Sequence, residues 1–164
     1  MTRVARVWSL PDVSASGCEL CTVVEALGRA ETCPAAAPEH VLRKIQDLPA
    51  SIAILAPDQY YRGYTLVVSK THATELYHLD EHESTQYFRD MLRVAAAVAA
   101  AFRPRKMNYE VLGNTVAHLH WHLFPRYDED PNPKRPTWER SHAPRLPGPD
   151  EYAETLAAIR RHLR

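Results

Sequence analysis

The sequence predicts an α+β fold: a sheet of about five strands with one long helix, plus helical extensions at the N- and C-terminal ends. Three observations carry this. Short β-branched or apolar runs bounded by turn residues recur at 41–45, 51–56, 64–69, 106–112 and 118–124. A long apolar stripe of helical period opens behind a capping signal at Asp80. Shorter amphipathic stretches lie near both ends of the chain.

In chain order, residues 1–17 read as a loose arm. Cys18–Arg29 (CELCTVVEALGR) reads as a short helix, with Val23, Val24 and Leu27 at helical spacing. Gly28 to Pro38 is Ala/Pro-rich loop. Val41–Ile45 and Ser51–Ala56 are strands, and Gln46 to Pro49 makes a hairpin connection. Asp58 to Gly63 is a second turn, and Tyr64–Ser69 is a third strand rich in β-branched residues. Asp80 and Glu83 have the spacing of a capping box. Beyond them Phe88, Met91, Leu92, Ala95, Val98, Ala99 and Phe102 form the stripe, which Pro104 ends. Lys106–Leu112 and His118–Phe124 are two further strands, with Gly113-Asn114 as the turn between them. Seven of the thirteen prolines fall in 125–149, an extended segment without period. Asp150 is placed to cap a final helix with Tyr152, Leu156, Ile159 and Leu163 on one face. The expected division is an arm with a CxxC at 1–40, a catalytic domain at 41–127, and a Pro-rich extension with a C-terminal helix at 128–164.

Composition narrows function. A chain of 164 residues can bury a core without disulfides. Twenty Lys+Arg balance twenty Asp+Glu, which argues against a coat for nucleic acid or an anionic membrane. Five scattered glycines leave no glycine-rich phosphate loop. The longest apolar run, Val94 to Phe102, is too short to span a bilayer. The first twenty residues lack an apolar signal segment, and three cysteines make no disulfide framework. The expectation is a reducing, cytoplasmic setting and no membrane partner.

The stretch HLHWHLF at 118–124 is the most informative. In a strand, His118, His120 and His122 line one face while Leu119, Trp121 and Leu123 line the other. In a helix the same histidines would spread over about 200° and neither face would make sense. Residue pattern alone leaves three readings: harmless surface histidines on an edge strand, a zinc site built on His-x-His, or a catalytic strand. Cys18 and Cys21 are equally ambiguous by themselves. A redox motif needs a βαβ context that is missing here, and two cysteines fall short of the four ligands zinc takes. Cys33 has no evident partner.

NYEVLGNTVAHLHWHLFPRY resembles the histidine triad (HIT) superfamily, whose signature is His-φ-His-φ-His-φ-φ with φ apolar, often followed by Pro-Arg. The matching residues are His118, His120, His122 and Phe124, then Pro125-Arg126. RGYTLVVSKTHATELYHLD resembles the same family's glycine-led strand, basic residue and histidine, here Gly63, Lys70 and His72, followed by Leu76 and Leu79. The resemblance covers about 41–127 and implies a HIT-like antiparallel sheet.

It also implies chemistry at the α-phosphate of a nucleotide, by a hydrolase or nucleotidyl transferase, with hydrolase favoured. His120 would be the nucleophile and form a nucleotidyl-histidine. A neutral imidazole near pH 7 has the lone pair this needs, and a covalent intermediate splits one hard displacement into two. His122 would contact phosphate oxygens. Asn114 and Thr115 match the polar pair before the triad, and Asn108 resembles another polar family position at slightly shorter spacing. Many relatives bind ribose through an aspartate at the end of the second strand. Ala56 stands nearest that place, so either Asp58, two residues on, would substitute or the sugar contact would be lost. Relatives with an N-terminal CxxC complete a structural zinc site with two histidines, here His72 and His118 beside Cys18 and Cys21. The implied substrates are small nucleotides, dinucleoside polyphosphates or nucleoside phosphoramidates, with a divalent cation compatible with a polyphosphate. The implied assembly is a homodimer joined through Lys106–Leu112 or a neighbouring strand. The alternatives are a catalytically silent, zinc-stabilised nucleotide-binding protein and a zinc-dependent hydrolase using the His-x-His strand as ligands. DNA-end processing would need a basic surface, so nucleic acid is not the expected partner.

Overall fold

Short connections dictate the first half of the sheet. The computed structural model describes residues 17–29, 43–139 and 141–163. In chain order they form α1 (Glu19–Arg29), β1 (Arg43–Asp47), β2 (Ser51–Leu55), β3 (Thr65–Ser69), α2 (Glu81–Phe102), β4 (Lys106–Glu110), β5 (His120–Arg126) and α3 (Pro149–Arg160). The N-terminal arm, the loop at 30–38 with Cys33, and Val41 lie outside the described residues. Every strand pairing is antiparallel, and the spatial order is β1-β2-β3-β5-β4. The histidine strand is therefore interior, with β4 and β1 as the two edges.

The alternation of side chains sorts two cores. Ala53 and Leu55 of β2, Val67 of β3 and Leu119 and Leu123 of the histidine stretch face α2 and α3. Ile52, Ile54, Leu66 and Val68 face the other way and meet Cys18, Leu20 and Leu27 of the α1 region. The histidines fall on this second side, because His120 sits opposite Val68 and His122 opposite Leu66. α1 covers part of that face, with Val116 from the β4–β5 connection packed beside it.

The capping box forms as its spacing predicts: Glu83 N–H donates to Asp80 at 2.8 Å, and the Glu83 side chain accepts from the Asp80 N–H. Arg103 closes α2 in the left-handed region, with φ 49°, just before Pro104. Gly63 opens β3 with φ 86°, and a Cβ there would sit 2.7 Å from Phe102 Cδ2. No larger residue fits that turn without moving the end of α2.

Several element details differ from expectation. The buried face of α2 is centred on Tyr87, Met91, Val94 and Val98, whereas Phe88 and Leu92 are about half exposed. The stripe drifted because its spacing admitted residues on the flank of the buried arc. Tyr87 joins the buried face because its hydroxyl donates to Val67 O at 2.9 Å. Asp90 is fully buried for the same reason: its carboxylate accepts from Ala50 N, Ser51 Oγ and Gln86 Nε2. Asp150 is not the cap of α3. Gly148 holds that position without a side-chain bond, and Pro149 starts the helix with its φ already set. β1 extends through Gln46 and Asp47 by a bulge near Lys44, which shortens the connection to β2. β4 stops at Glu110, and β5 runs from His120 to Arg126, so His118 precedes the regular strand. There the backbone is held by the 69–73 segment, with Leu119 N–H donating to Ala73 O and Ser69 N–H to Leu119 O.

Candidate active site and metal centre

The triad divides into two environments. His118 is 1% exposed, and its Nε2 lies 2.8 Å from Ser69 O. That carbonyl can only accept, so Nε2 carries the proton and Nδ1 presents a lone pair. Nδ1 lies 3.4 Å from Cys18 Sγ, 3.4 Å from Cys21 Sγ and 3.3 Å from His72 Nδ1. His72 Nδ1 is in turn 3.1 Å from Cys21 Sγ. A tetrahedral zinc site with ordinary Zn–N and Zn–S lengths puts its ligand atoms about 3.3–3.8 Å apart. The four donor atoms here all lie within 4.8 Å of one another. Two thiols, two imidazoles and a carbonyl orienting one of them fit a structural zinc site, and the four protein donors leave no open coordination position. Both cysteines are free. Burial, followed by the hydrogen bond and charge of Cys18, pushes the Cys21 thiol up to about 11, so a thiolate at Cys21 calls for a cation to offset it. Burial likewise lowers the pKa of His118, against its hydrogen bond to Ser69.

His120 is 8% exposed and makes a different bond. Its Nδ1 lies 2.6 Å from His118 O, so Nδ1 donates and Nε2 keeps the lone pair. His122 stands next on the same face, with ring centroids 4.6 Å apart. Burial, with a smaller contribution from His120, lowers the pKa of His122 to about 4, so it is neutral at pH 7. Its Nδ1 lies 2.6 Å from the hydroxyl of Tyr64, whose ring stacks on Phe124 at 4.1 Å.

The other expected site residues are placed as follows. Asn114 and Thr115 are exposed in the bend between β4 and β5. Asn108 faces the same side as Phe124, and its Oδ1 accepts from Arg126 Nη1 at 2.8 Å. Asp58 lies in the β2–β3 turn, where its Oδ1 accepts from Tyr60 N and Arg145 N. Its Oδ2 is 3.8 Å from His142 Nδ1, and His142 stacks on Tyr60 at 3.8 Å. Asp58 thus fastens the Pro-rich segment to the turn. Ala56 is buried at the end of β2.

Tyr64 and Arg126 were not singled out by sequence reasoning. Tyr64 reads simply as the first residue of a strand, and only its register beside Phe124 and His122 exposes the contact. Arg126 is 3% exposed and donates to Asp130, Asn108, Arg135 O and Asn132 O. Its place in a Pro-Arg pair gives no hint of that.

This arrangement has relatives. The HIT domain family model matches residues 37–129. Protein hit of Bacillus subtilis is 35% identical over 81 residues, 46% of this chain and 56% of that protein, so the chain spans little more than half of that relative's length. The crystal structure of histidine triad protein blr8122 from Bradyrhizobium japonicum superposes with a TM-score of 0.68 at 27% identity, covering 81% of this chain and 98% of that one. A Zn-bound histidine triad family protein from Mycobacterium smegmatis shares the fold, with a TM-score of 0.62 at 22% identity over 91% and 94% of the two chains. With the triad on an interior antiparallel strand, and the family's domain matching more than half of its length, the chain belongs to the HIT family.

Proposed function

We propose that this protein is a nucleotide hydrolase that acts at the α-phosphate, with His120 as nucleophile. One observation carries the reading: the 2.6 Å bond from His120 Nδ1 to His118 O leaves the Nε2 lone pair on the open face, beside His122. Nε2 attacks phosphorus and forms a P–N bond as the bond to the leaving group breaks with its electron pair. The leaving group takes up a proton. Water then cleaves the P–N bond, releasing the nucleoside monophosphate and restoring His120. Neutral imidazoles suit a small nucleotide, either a dinucleoside polyphosphate or a nucleoside phosphoramidate. Asn114 and Thr115, in the exposed bend, Asn108, in the middle of β4, and Asp58, in the β2–β3 turn, are assigned to phosphate, leaving-group or sugar contacts.

Cys18, Cys21, His72 and His118 would hold zinc. Bound there, the ion supplies a closed crosslink between α1, the loop after β3 and the approach to β5. This donor set weighs against the metallohydrolase reading, because the four ligands complete a tetrahedron without His120 and leave no open position for a metal-bound water. The free thiols suit a reducing compartment such as the cytoplasm. No helix among the described residues is long and apolar enough to cross a membrane.

The test is a trapping experiment. Wild-type protein is mixed with labelled adenine or guanine dinucleoside polyphosphates, or with adenosine phosphoramidate, and quenched without acid. A labelled nucleotidyl-protein is expected, and His120→Ala should abolish it and reduce turnover by about a thousandfold or more. No adduct and no turnover with any of these nucleotides would favour the silent binding protein. Loss of metal on His120→Ala would favour the metallohydrolase.

We also propose a homodimer joined at β4. Tyr109 and Leu112 beside that free edge are exposed, as are Phe88 and Leu92 of α2. Tyr109 sits opposite Leu123 and so projects on the α2 side of the sheet. Light scattering of the native protein should return twice the chain mass, and Tyr109→Glu with Leu112→Glu should return it once.

A further inference from the structure

Two neighbouring imidazoles on β5 are held in opposite tautomers, and the device that does this for the second is not part of the triad. His120 donates from Nδ1 to His118 O. His122 has the hydroxyl of Tyr64 at 2.6 Å from its Nδ1. The Tyr64 phenol keeps its proton, since burial and then the charges of Glu110 and Asp58 raise its pKa. His122 Nδ1 is the one partner within hydrogen-bond reach of that hydroxyl among the described residues. If Nδ1 carried a proton, the phenol would have to accept, and its own proton would have no acceptor among the described residues. Donation from Tyr64 satisfies both groups and leaves the proton of His122 on Nε2.

We propose that Tyr64 is a positioning residue for the reaction assigned above: its hydroxyl holds His122 as the Nε2–H tautomer, so that a hydrogen-bond donor stands next to the nucleophilic lone pair of His120. A phosphate bound between them meets one nitrogen that attacks phosphorus and one that donates to a phosphate oxygen. Stacking on Phe124 at 4.1 Å and 18° holds the phenol in line. The other titratable groups around His122 are His120 on its own strand and Glu110, its register partner on β4, whose Oε1 accepts from Thr137 at 2.6 Å. None of them provides a second donor to His122 Nδ1. The donor this creates is neutral, which spares the site a buried imidazolium beside the nucleophile.

The inference rests on the hydrolase reading for its catalytic half, and its structural half can be measured without substrate. Long-range proton–nitrogen correlation spectra of histidine-labelled protein report the tautomer and pKa of each ring. In the wild type, His122 should show the Nε2–H pattern. Tyr64→Phe keeps the stacked ring and should convert His122 to a tautomer mixture with a higher pKa. Turnover of adenosine phosphoramidate should fall about tenfold, in kcat more than in KM, as expected for one lost orienting hydrogen bond. Phe124→Leu removes the stack while keeping the hydroxyl, and should retain mostly the Nε2–H form. A wild-type His122 protonated on Nδ1, or a tautomer unchanged by Tyr64→Phe, would overturn the proposal, as would a shifted tautomer with kcat intact. Failure of the hydrolase reading is recognised separately, by a wild type that neither turns over nor forms an adduct.

Discussion

At the scale of single residues, the partner of the ring is what separates the three histidines: Ser69 O for His118, His118 O for His120 and the Tyr64 hydroxyl for His122. His122 titrates near 4 when folded and near 6.5 when free, so the folded chain binds its proton more weakly than the unfolded one. The resulting stability is complete above about pH 6.5 and is lost as the pH falls through 4, a span worth about 3 kcal/mol. Denaturant midpoints measured from pH 7 to pH 4 should fall accordingly, and His122→Asn should flatten that slope. The identity of these residues was legible in the sequence because a period of two across three histidines has few explanations. Their tautomers were not, since each depends on an acceptor or donor brought in from the loop before the strand or from β3.

Elements were legible where a local signal agreed with the tertiary contacts. The Asp80 box and Gly63 did so, one through its own side chain and the other through a backbone that tolerates no Cβ. The stripe on α2 was misjudged by part of a turn because Tyr87 and Asp90 look polar in isolation. Each has a buried partner that periodicity cannot see: Val67 O for one, Ala50 N and Ser51 Oγ for the other. α1 shows the converse. It has eleven residues, marginal for a helix by itself, and its region fully seats only Cys18, Leu20 and Leu27. Its hold on the sheet therefore depends on the four-residue cluster. Chelation, or Cys18→Ser, should remove one equivalent of zinc per chain, lower Tm by roughly 5–10 °C for a loss of about 2–3 kcal/mol, and open 17–29 to proteolysis. His120→Ala should leave all three readouts unchanged.

For the whole molecule, the stretch after β5 is the part that pattern reading could not route. α3 returns to the core through Tyr152, Leu156 and Ile159, as its amphipathic face anticipated. The chain between β5 and α3 has no period, and separate polar fasteners hold it instead. Arg126 clamps its beginning through Asp130, Asn132 O and Arg135 O, and Asp58 and Gln59 bind Arg145 near its end. The first set spans at most nine positions and the Asp58–Arg145 bond spans 87, and neither leaves a trace in local composition. Arg126→Ala should cost about 3 kcal/mol in a denaturant melt, since it strands the nearly buried carboxylate of Asp130. Arg126→Lys should recover only part of this, because an ammonium cannot reproduce the planar fork.

The cluster at His118 also bears on how the molecule is made. Cys18 and His118 are 100 positions apart, so the thiols leave the ribosome long before the imidazole that completes their set. Closing a loop of that length carries a large entropic toll and belongs to the slow class of folding events. The carbonyl that orients His120 is on this same residue, so the proposed nucleophile takes its orientation from the last of the four cluster residues to be synthesised.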